Sequence, residues 1–390
     1  MLPDKYNCCG CSACYSVCPK GCISMLQDEK GFLNPVIDQE NCVHCGLCES
    51  VCSVLHFEKY NKNQINRTFA IQNVDEGILF ESTSGGLFSA IAKLIISRGG
   101  VVFGGIIDDE LKVYHIKGVT LEDLIRFRGS KYVQSAIKNT FKEAKHELEQ
   151  GREVLFSGTP CQIAGLKNYL GKEYQNLYTI DVVCHAVPSP LLFSKYIEYK
   201  KKKYKDIRDF KFRDKERGYD YSTLSFHYTR VDGKEGIYRR GSESDEWMRL
   251  FLGNDSSRDS CTKCKFQTKE SFSDLTIADL FNPLKYSKKL TSKQGYTRTY
   301  VNSEKGMQLV KSVSDICIMH EIEMPRVDRG EATKSKKNLE GYWKDVANMD
   351  NDEFFRKHYP IGIKQLFLSS ARIIMYRIGI YSIVKKIINR

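Results

Sequence analysis

No uncharged stretch of this 390-residue sequence reaches ~18 residues, about the length that a helix needs to cross a membrane. The first residues, MLPDKYNCCG, lack the basic segment and apolar run of a secretory signal, so we expect a cytoplasmic protein. Without such a signal, the 15 cysteines argue against a disulfide framework and favour metal or redox chemistry. A composition of 41% hydrophobic and 28% charged residues excludes disordered and collagen-like structure.

The positive charge is unevenly distributed along the chain. The net charge is +12, yet residues 1–56 contain three lysines against six carboxylates, so the remainder carries +15. This asymmetry predicts separate modules. We interpret the lysine-rich segment at 195–205 as a solvated helix end and expect no nucleic-acid binding.

Ten of the cysteines fall within the first 52 residues, and eight of these form two runs with the same spacing. Each run reads C-x2-C-x2-C-x3-C, which is the ligand spacing of a bacterial two-cluster ferredoxin. Three thiolates of a tight loop reach one 4Fe-4S cubane, whereas the fourth starts a short helix directed away and ligates the other. The predicted ligand sets are therefore Cys8, Cys11, Cys14 and Cys52 for one cluster, and Cys42, Cys45, Cys48 and Cys18 for the second.

Two cysteines of this region, Cys9 and Cys22, are left over and are expected to be unligated. Structural zinc is the alternative to iron–sulfur clusters, since C-x2-C pairs also build zinc ribbons. Zinc, however, does not require eight cysteines in two identical quartets with crossed spacing.

The remainder of the chain alternates strands and helices. From about residue 69 to 190 this alternation predicts an α/β sheet with a largely parallel part, and residues 206–300 look richer in strands. We predict an α+β ferredoxin-like dicluster domain over 1–58, a mixed α/β flavin and iron–sulfur domain over 68–345, and a basic helical tail over 346–390. The polar segment between the first two domains is interpreted as a linker.

A second set of cysteines lies at predicted strand ends and in a polar loop. Cys161 follows a strand and a Gly-Thr-Pro turn, Cys184 ends the next strand, and Cys261 and Cys264 form a compact pair. Because adjacent parallel strands end at one edge of a sheet, these four could hold a third 4Fe-4S cluster. Three alternatives stay open, namely a nucleophilic Cys161 assisted by His185, a structural zinc site, and ordinary core cysteines.

Two further segments are candidates for anion binding. Ser84, Gly85 and Gly86 form a glycine-ended loop directly before a predicted helix, where free amides can bind phosphate. A simple helix cap explains the same residues. Ser130, Lys131 and Tyr132 offer a cation and hydroxyls. No G-x-G-x-x-G or Walker loop is present, so NAD and ATP receive no support from a motif.

Five ordered motifs resemble the beta subunit of coenzyme F-420 hydrogenases and dehydrogenases over nearly residues 1–320. They are STSGGLFSAIA at 82–92, GSKYVQS at 129–135, FSGTPCQIAGLK at 156–167, DVVCHAVPSP at 181–190 and CTKCKF…SDLTIAD at 261–279. The resemblance implies an FAD-binding iron–sulfur protein, with flavin contacts from the two anion-binding segments and a third cluster on the second cysteine set. The implied flavin contacts are Ser84, Gly85, Gly86, Ser130, Lys131 and Tyr132.

Two motifs depart from the family pattern. Cys184-His185-Ala186 replaces the usual Cys-His-Gly, and Ala278-Asp279-Leu280-Phe281 replaces Gly-Asp followed by an aromatic residue and Trp. We expect both motifs near the cluster or flavin, so the substrate differs from that of the archetype. His185 and Asp279 are candidate proton donors or orienting groups.

The combined prediction is an iron–sulfur flavoprotein oxidoreductase that passes electrons from a donor, such as ferredoxin or a reductase or hydrogenase subunit, to an unidentified small molecule. Polysaccharide biosynthesis is a candidate context, because many bacterial relatives occur beside such enzymes. The alternative is an electron-transfer beta subunit of a hydrogenase- or dehydrogenase-type complex with no substrate site of its own.

The C-terminal segment is strongly basic. From Arg356 to Arg390 it contains eight basic and no acidic residues. On a helical wheel Lys364, Arg372, Lys386 and Arg390 share one face, with Arg377 opposite. This amphipathic pattern predicts peripheral contact with an anionic membrane, and a helix packed on the protein body is the alternative.

Overall fold

A computed structural model describes residues 1–57, 65–221, 223–230, 232–266, 271–324, 339–381 and 384. Most of the predicted linker and part of the predicted tail, including Lys386 and Arg390, lie outside these residues. The N-terminal region consists of two short helices and one antiparallel hairpin, in which Ile23 pairs with Ile37. Its elements are α1 (Ala13–Val17), β1 (Ile23–Gln27), β2 (Leu33–Ile37) and α2 (Leu47–Ser50).

An eight-stranded mixed sheet forms the centre of the molecule. Four neighbouring strands, β4, β6, β7 and β11, run parallel, and antiparallel strands flank them on both sides, in the order β13-β3-β12-β11-β7-β6-β4-β5. The strands are β3 (Arg67–Asn73), β4 (Val101–Ile107), β5 (Val113–Gly118), β6 (Val154–Gly158), β7 (Leu177–Val182), β11 (Leu275–Asp279), β12 (Thr297–Val301) and β13 (Cys317–Glu321).

Helices follow these strands where the sequence supplies capping residues. Asp75 caps the first of them by accepting from the amide of Ile78, Thr120 and Asp123 form a capping box, and Thr159-Pro160 starts another. These helices are α3 (Glu76–Glu81), α4 (Leu87–Ser97), α5 (Leu121–Phe127), α6 (Thr140–Glu149), α7 (Pro160–Leu170) and α10 (Glu304–Lys311).

A second, antiparallel sheet packs on helices through an aromatic core. Phe193, Phe212, Phe226 and Trp247 are buried in this core. The strands have the order β10-β9-β8. The elements are α8 (Pro190–Lys201), β8 (Lys205–Asp214), β9 (Thr223–Thr229), β10 (Glu235–Gly241), α9 (Glu246–Leu252), α11 (Leu339–Asn348), α12 (Asn351–His358) and α13 (Ile363–Arg377).

The predicted mixed α/β architecture, with a ferredoxin-like start and a helical C-terminus, is therefore present. One helix prediction was wrong at its start, because the helix expected from about residue 135 begins only at Thr140. Ala136 instead forms a bridge to Tyr114 of β5, and Lys138 has a φ of 50°, which no α-helix accommodates.

Residues 339–381 form three helices, of which the first two belong to the aromatic core through Tyr342, Phe354 and Phe355. The predicted tail boundary at 346 thus lies inside α11. Among the residues that the structure describes, no helix combines the length and apolarity needed to cross a membrane.

Candidate functional site

The eight regularly spaced cysteines line two separate cavities. Cys8, Cys11, Cys14 and Cys52 line the first cavity, and Cys18, Cys42, Cys45 and Cys48 line the second. The crossing follows from the two short helices: α1 leads from Cys14 in the first cavity to Cys18 in the second, and α2 leads from Cys48 back toward Cys52. Within the described residues, no three Cys, His, Asp or Glu side chains converge as they would around a single metal ion.

The two cysteine loops share an unusual backbone conformation at equivalent positions. The residue before each second cysteine has a positive φ, 68° at Gly10 and 51° at His44, and so does the residue after it, 65° at Ser12 and 74° at Gly46. Ser12 and His44 adopt this region although they are not glycines, which is uncommon. Such left-handed turns direct successive amides toward one point and create a concave site for anionic sulfur. One amide, that of Gly10, lies 3.3 Å from the Cys8 sulfur.

The two cavities differ in burial. All four cysteines of the first cavity are buried, whereas Cys45 of the second is exposed, beside the exposed apolar side chains of Val43 and Leu47. The first cavity also faces the rest of the protein. A Cβ on Gly165 of α7 would lie 2.8 Å from both Cβ and Sγ of Cys11, so this helix approaches the first cavity as closely as a glycine allows.

Arg258 fastens the N-terminal region to the body. Its guanidinium, on a side chain that is almost fully buried, donates to the carbonyl oxygens of Cys8 at 2.7 Å and Leu33 at 3.0 Å, and to the side-chain oxygen of Asn34. Lys30 adds an ion pair with Asp259 at 2.7 Å. Sequence reasoning missed Arg258, because no spacing pattern marks it.

Three members of the second cysteine set lie in one neighbourhood. Cys161 is the second residue of α7, and its thiol interacts electrostatically with that of Cys261, which also interacts with Cys264. Burial raises the pKa of Cys261 to about 12. Cys184 lies in the loop after β7, and farther along this loop the carbonyl of Val187 accepts from the amide of Arg258, next to the Cys261 turn. The thiol of Cys9 also contacts Cys161 and lowers its pKa.

The glycine loop is held tightly between two strands of the central sheet. Gly85 donates its amide to Oγ1 of Thr297 at 2.9 Å, and its carbonyl accepts from the amide of Asn73 at 2.7 Å. A Cβ on Gly85 would lie 2.0 Å from the Ile71 carbonyl oxygen. Ser84 shares a hydrogen bond with Thr297 at 3.1 Å. The amide of Gly85 is therefore already used inside the protein, and Gly86 caps α4 with a φ of 79°.

The second candidate anion segment lies against the first. The amide of Ser130 donates to Oγ1 of Thr83 at 2.9 Å, and thus links the two segments. Lys131 turns its ammonium to the last carbonyls of α5, with bonds of 3.1, 2.9 and 2.8 Å to Arg126, Phe127 and Arg128. Burial lowers the pKa of Lys131 to about 7.

Two side chains that sequence reasoning missed, Phe251 and Arg213, connect Tyr132 with the two candidate catalytic residues. The ring of Tyr132 stacks on Phe251 with centroids 4.1 Å apart, and His185 meets the same ring edge-on at 5.0 Å. Asp279, at the end of β11, forms an ion pair with Arg213 at 2.9 Å, and Arg213 also contacts Tyr132. Three separate predicted motifs thus converge.

A second half-buried lysine, Lys215, completes this region. Lys215 donates to the carbonyls of Leu79 at 2.7 Å and Ser84 at 2.5 Å, and burial lowers the pKa of its ammonium to about 7. Beside it, the hydroxyl of Tyr219 is buried and has no hydrogen-bond partner among the residues described. Arg213 and Lys215 therefore both lie near Asp279, and Arg213 also contacts the aromatic pair through Tyr132.

Comparisons with known proteins found two matching family models, one in each part of the chain. Residues 7–55 match the model of the 4Fe-4S dicluster domain, and residues 151–325 match the model for the C terminus of the coenzyme F420 hydrogenase/dehydrogenase beta subunit. Among solved structures, one chain of the F420-reducing [NiFe] hydrogenase complex from Methanosarcina barkeri is similar, with 15% identity and a TM-score of 0.43. The similarity covers 78% of this chain and 96% of that chain. The comparison with curated proteins found no match.

Proposed function

We propose that this chain, whose residues 151–325 match the model for the C terminus of the coenzyme F420 hydrogenase/dehydrogenase beta subunit, is an iron–sulfur electron-transfer subunit of a hydrogenase- or dehydrogenase-type complex. The observation that carries the proposal is the division of eight cysteines into two cavities with four thiols each. A 4Fe-4S cluster, when bound, takes up and releases one electron at a time. The alternative function named from the sequence accounts for more of the findings than an oxidoreductase with its own substrate site.

The residues of the chain have distinct tasks in this role. The four thiols of each cavity would bind the irons, and the left-handed turns at Gly10, Ser12, His44 and Gly46 aim amides at the sulfur atoms. Burial of the first cavity excludes water, whereas the exposed edge at Cys45 suits exchange with a partner protein. We extend the proposal to a third cluster on Cys161, Cys184, Cys261 and Cys264, supported by the proximity of three of these thiols.

Metal analysis of anaerobically purified protein tests this proposal. We expect about eight irons with matching acid-labile sulfide from the two ferredoxin sites, and about twelve if the second cysteine set also holds a cluster. Cys45→Ser should remove about four irons. Cys317→Ser, which changes a buried cysteine of β13 far from both runs, should leave the iron content unchanged. Zinc in place of iron would refute the electron-transfer function.

A flavin site is the second candidate, favoured by the convergence of Tyr132, His185 and Asp279 around Arg213 and Phe251. The donor set fits an anionic dinucleotide, because Arg213 is permanently charged and the Tyr132–Phe251 pair supplies an aromatic surface. A bound anion would also favour the charged form of Lys215, whose pKa burial lowers to about 7. FAD, when bound, exchanges electrons singly or in pairs. His185 would hold or donate a proton there, and Asp279 would orient Arg213 through their ion pair. The flavin content of the anaerobically purified protein shows whether this redox subunit contains FAD.

We also propose that α13 rests on an anionic membrane surface. Its inner face packs on the protein through buried Ser369 and through Arg372, which forms an ion pair with Glu243 at 2.7 Å. Its outer face is apolar and exposed, and the basic residues of the segment at 356–390 have no acidic counterpart within it. The outer face consists of Ile363, Phe367, Ile374 and Ile378.

Co-sedimentation with vesicles checks the role of this helix. The full chain should bind vesicles that contain phosphatidylglycerol, and Ile374→Asp should reduce the bound fraction about tenfold, because it places a charge on the apolar face. Ile125→Asp is the matched control, since Ile125 lies on α5 and is 60% exposed against 58% for Ile374. Equal vesicle binding by the two variants would contradict the membrane role. A shift from dimer to monomer in Ile374→Asp would also contradict it, because the apolar face would then be a self-association surface.

A further inference from the structure

We infer that the two spare cysteines of the N-terminal region, Cys9 and Cys22, are hydrogen-bond donors that set the reduction potentials of the two clusters, one donor for each cluster. The inference rests on the proposed function, because it takes the eight spaced cysteines as cluster ligands. The cysteine spacing gives neither residue a role. The positions of their thiols beside the predicted ligands suggest one.

Cys22 belongs to the second cavity. Its sulfur lies 3.4 Å from that of Cys18, and it also contacts the thiol of Cys42. Both neighbours are predicted ligands of one cluster, and Cys22 itself lines the same cavity. A hydrogen bond donated by the Cys22 thiol is therefore accepted by a ligand sulfur of the second cluster.

Cys9 lines the first cavity, but its two neighbours belong to different sites. Its thiol contacts Cys11, a predicted ligand of the first cluster, and Cys161, a member of the second cysteine set. The close approach of α7, which Gly165 permits, brings these three sulfurs together. Cys9 consequently lies where the ferredoxin-like region meets the body.

The chemistry of the donors follows from protonation. A thiolate that binds iron can only accept hydrogen bonds, whereas a thiol outside the ligand set keeps its proton and can donate it. A hydrogen bond to a ligand sulfur stabilises the reduced cluster, which carries one more negative charge, and so raises the reduction potential. Since a thiol has one proton, Cys9 can donate to Cys11 or to Cys161 but not to both at once. The state of one site thereby influences the potential of the other.

Redox titration followed by electron paramagnetic resonance tests the inference on the full-length, anaerobically purified chain. Cys9→Ala should keep the wild-type iron and sulfide content and lower one of the two ferredoxin-type potentials. The expected change is about tenfold in the reduction equilibrium constant, or ~59 mV for a one-electron couple. Cys22→Ala should lower the other potential only, so each variant is the control for its partner. Cys45→Ser identifies which signal belongs to the second cavity.

Serine variants keep a donor at both positions, and Cys9→Ser and Cys22→Ser should recover most of the potential that alanine loses. They also provide the comparison if an alanine variant does not fold. Loss of iron in Cys9→Ala or Cys22→Ala would make that cysteine a ligand and overturn the inference. Unchanged potentials, or the same potential shifted by both variants, would also overturn it. A wild-type chain without iron would instead refute the proposed function.

Discussion

Arg258→Met should destabilise the protein by about 3–5 kcal/mol and loosen the N-terminal region from the body. The guanidinium donates to two backbone carbonyls and one side-chain oxygen, and a hydrogen bond to a charged donor contributes about 1.5–3 kcal/mol. Methionine retains much of the buried volume but leaves the carbonyl oxygens of Cys8 and Leu33 without this donor. Unpaired buried acceptors account for most of the expected loss.

The consequence reaches beyond overall stability, because Arg258 lies directly before the turn that carries Cys261. Its backbone amide bonds to the carbonyl of Val187 at 2.9 Å, in the loop that follows Cys184. One residue therefore connects the first cavity to two segments of the second cysteine set. We expect Arg258→Met to release iron to a chelator faster than the wild type does.

Thermal unfolding and chelator-dependent iron loss measure these effects. Arg249→Met is a suitable control, because Arg249 is a nearby arginine that donates to the Pro360 carbonyl at the exposed surface, at 2.8 Å. It should lower stability by less than about 1 kcal/mol. If the two variants unfold alike, the junction does not depend on the buried guanidinium.

The ferredoxin-like site could be predicted because it depends on local sequence. Each cavity is formed by three cysteines of one run, with two residues between neighbours, and by the fourth cysteine of the other run, so spacing alone separates the two sets. Arg258 could not be found in this way. Its partner Cys8 is 250 positions away, and only the folded chain brings them together.

The same limit applies to the region around Tyr132. Its motif and those of His185 and Asp279 could be recognised one by one, but the residues between them could not. Arg213 and Phe251 join these motifs from β8 and α9, in a region where the sequence pattern predicts only strands. Periodicity reports which face of an element is apolar, and carries no information about which distant side chain it meets.

The helical-wheel analysis of the C-terminal segment was incomplete for a related reason. It placed Arg372 together with Lys364 on a cationic face, whereas Arg372 turns inward to Glu243. Glu243 precedes α9 and has no periodic relation to the tail. The apolar face therefore points outward, and the cations available to a membrane are fewer than the wheel indicated.

Gly85→Ala should have the second large effect, a loss of about 3 kcal/mol of stability that does not depend on any bound cofactor. The added Cβ would lie 2.0 Å from the Ile71 carbonyl oxygen and 2.4 Å from the Thr297 amide nitrogen. Both atoms are backbone, in the adjacent strands β3 and β12 of the eight-stranded sheet, neither of which is an edge strand. Neither can move aside without displacing a strand, so the methyl group cannot be accommodated by a rotamer change.

Gly77→Ala is the matched control, because Gly77 lies within α3 and an added Cβ would meet only the Asp75 side chain, at 3.3 Å. Replacement of a helical glycine by alanine stabilises by up to about 1 kcal/mol where space allows. Denaturant unfolding of both variants, each measured without and with added FAD, separates two roles for Gly85. A glycine required for packing between β3 and β12 lowers stability in both conditions. A glycine required for ligand approach would leave the FAD-free protein as stable as the wild type and abolish only the stabilisation by FAD, and this outcome would contradict the packing role.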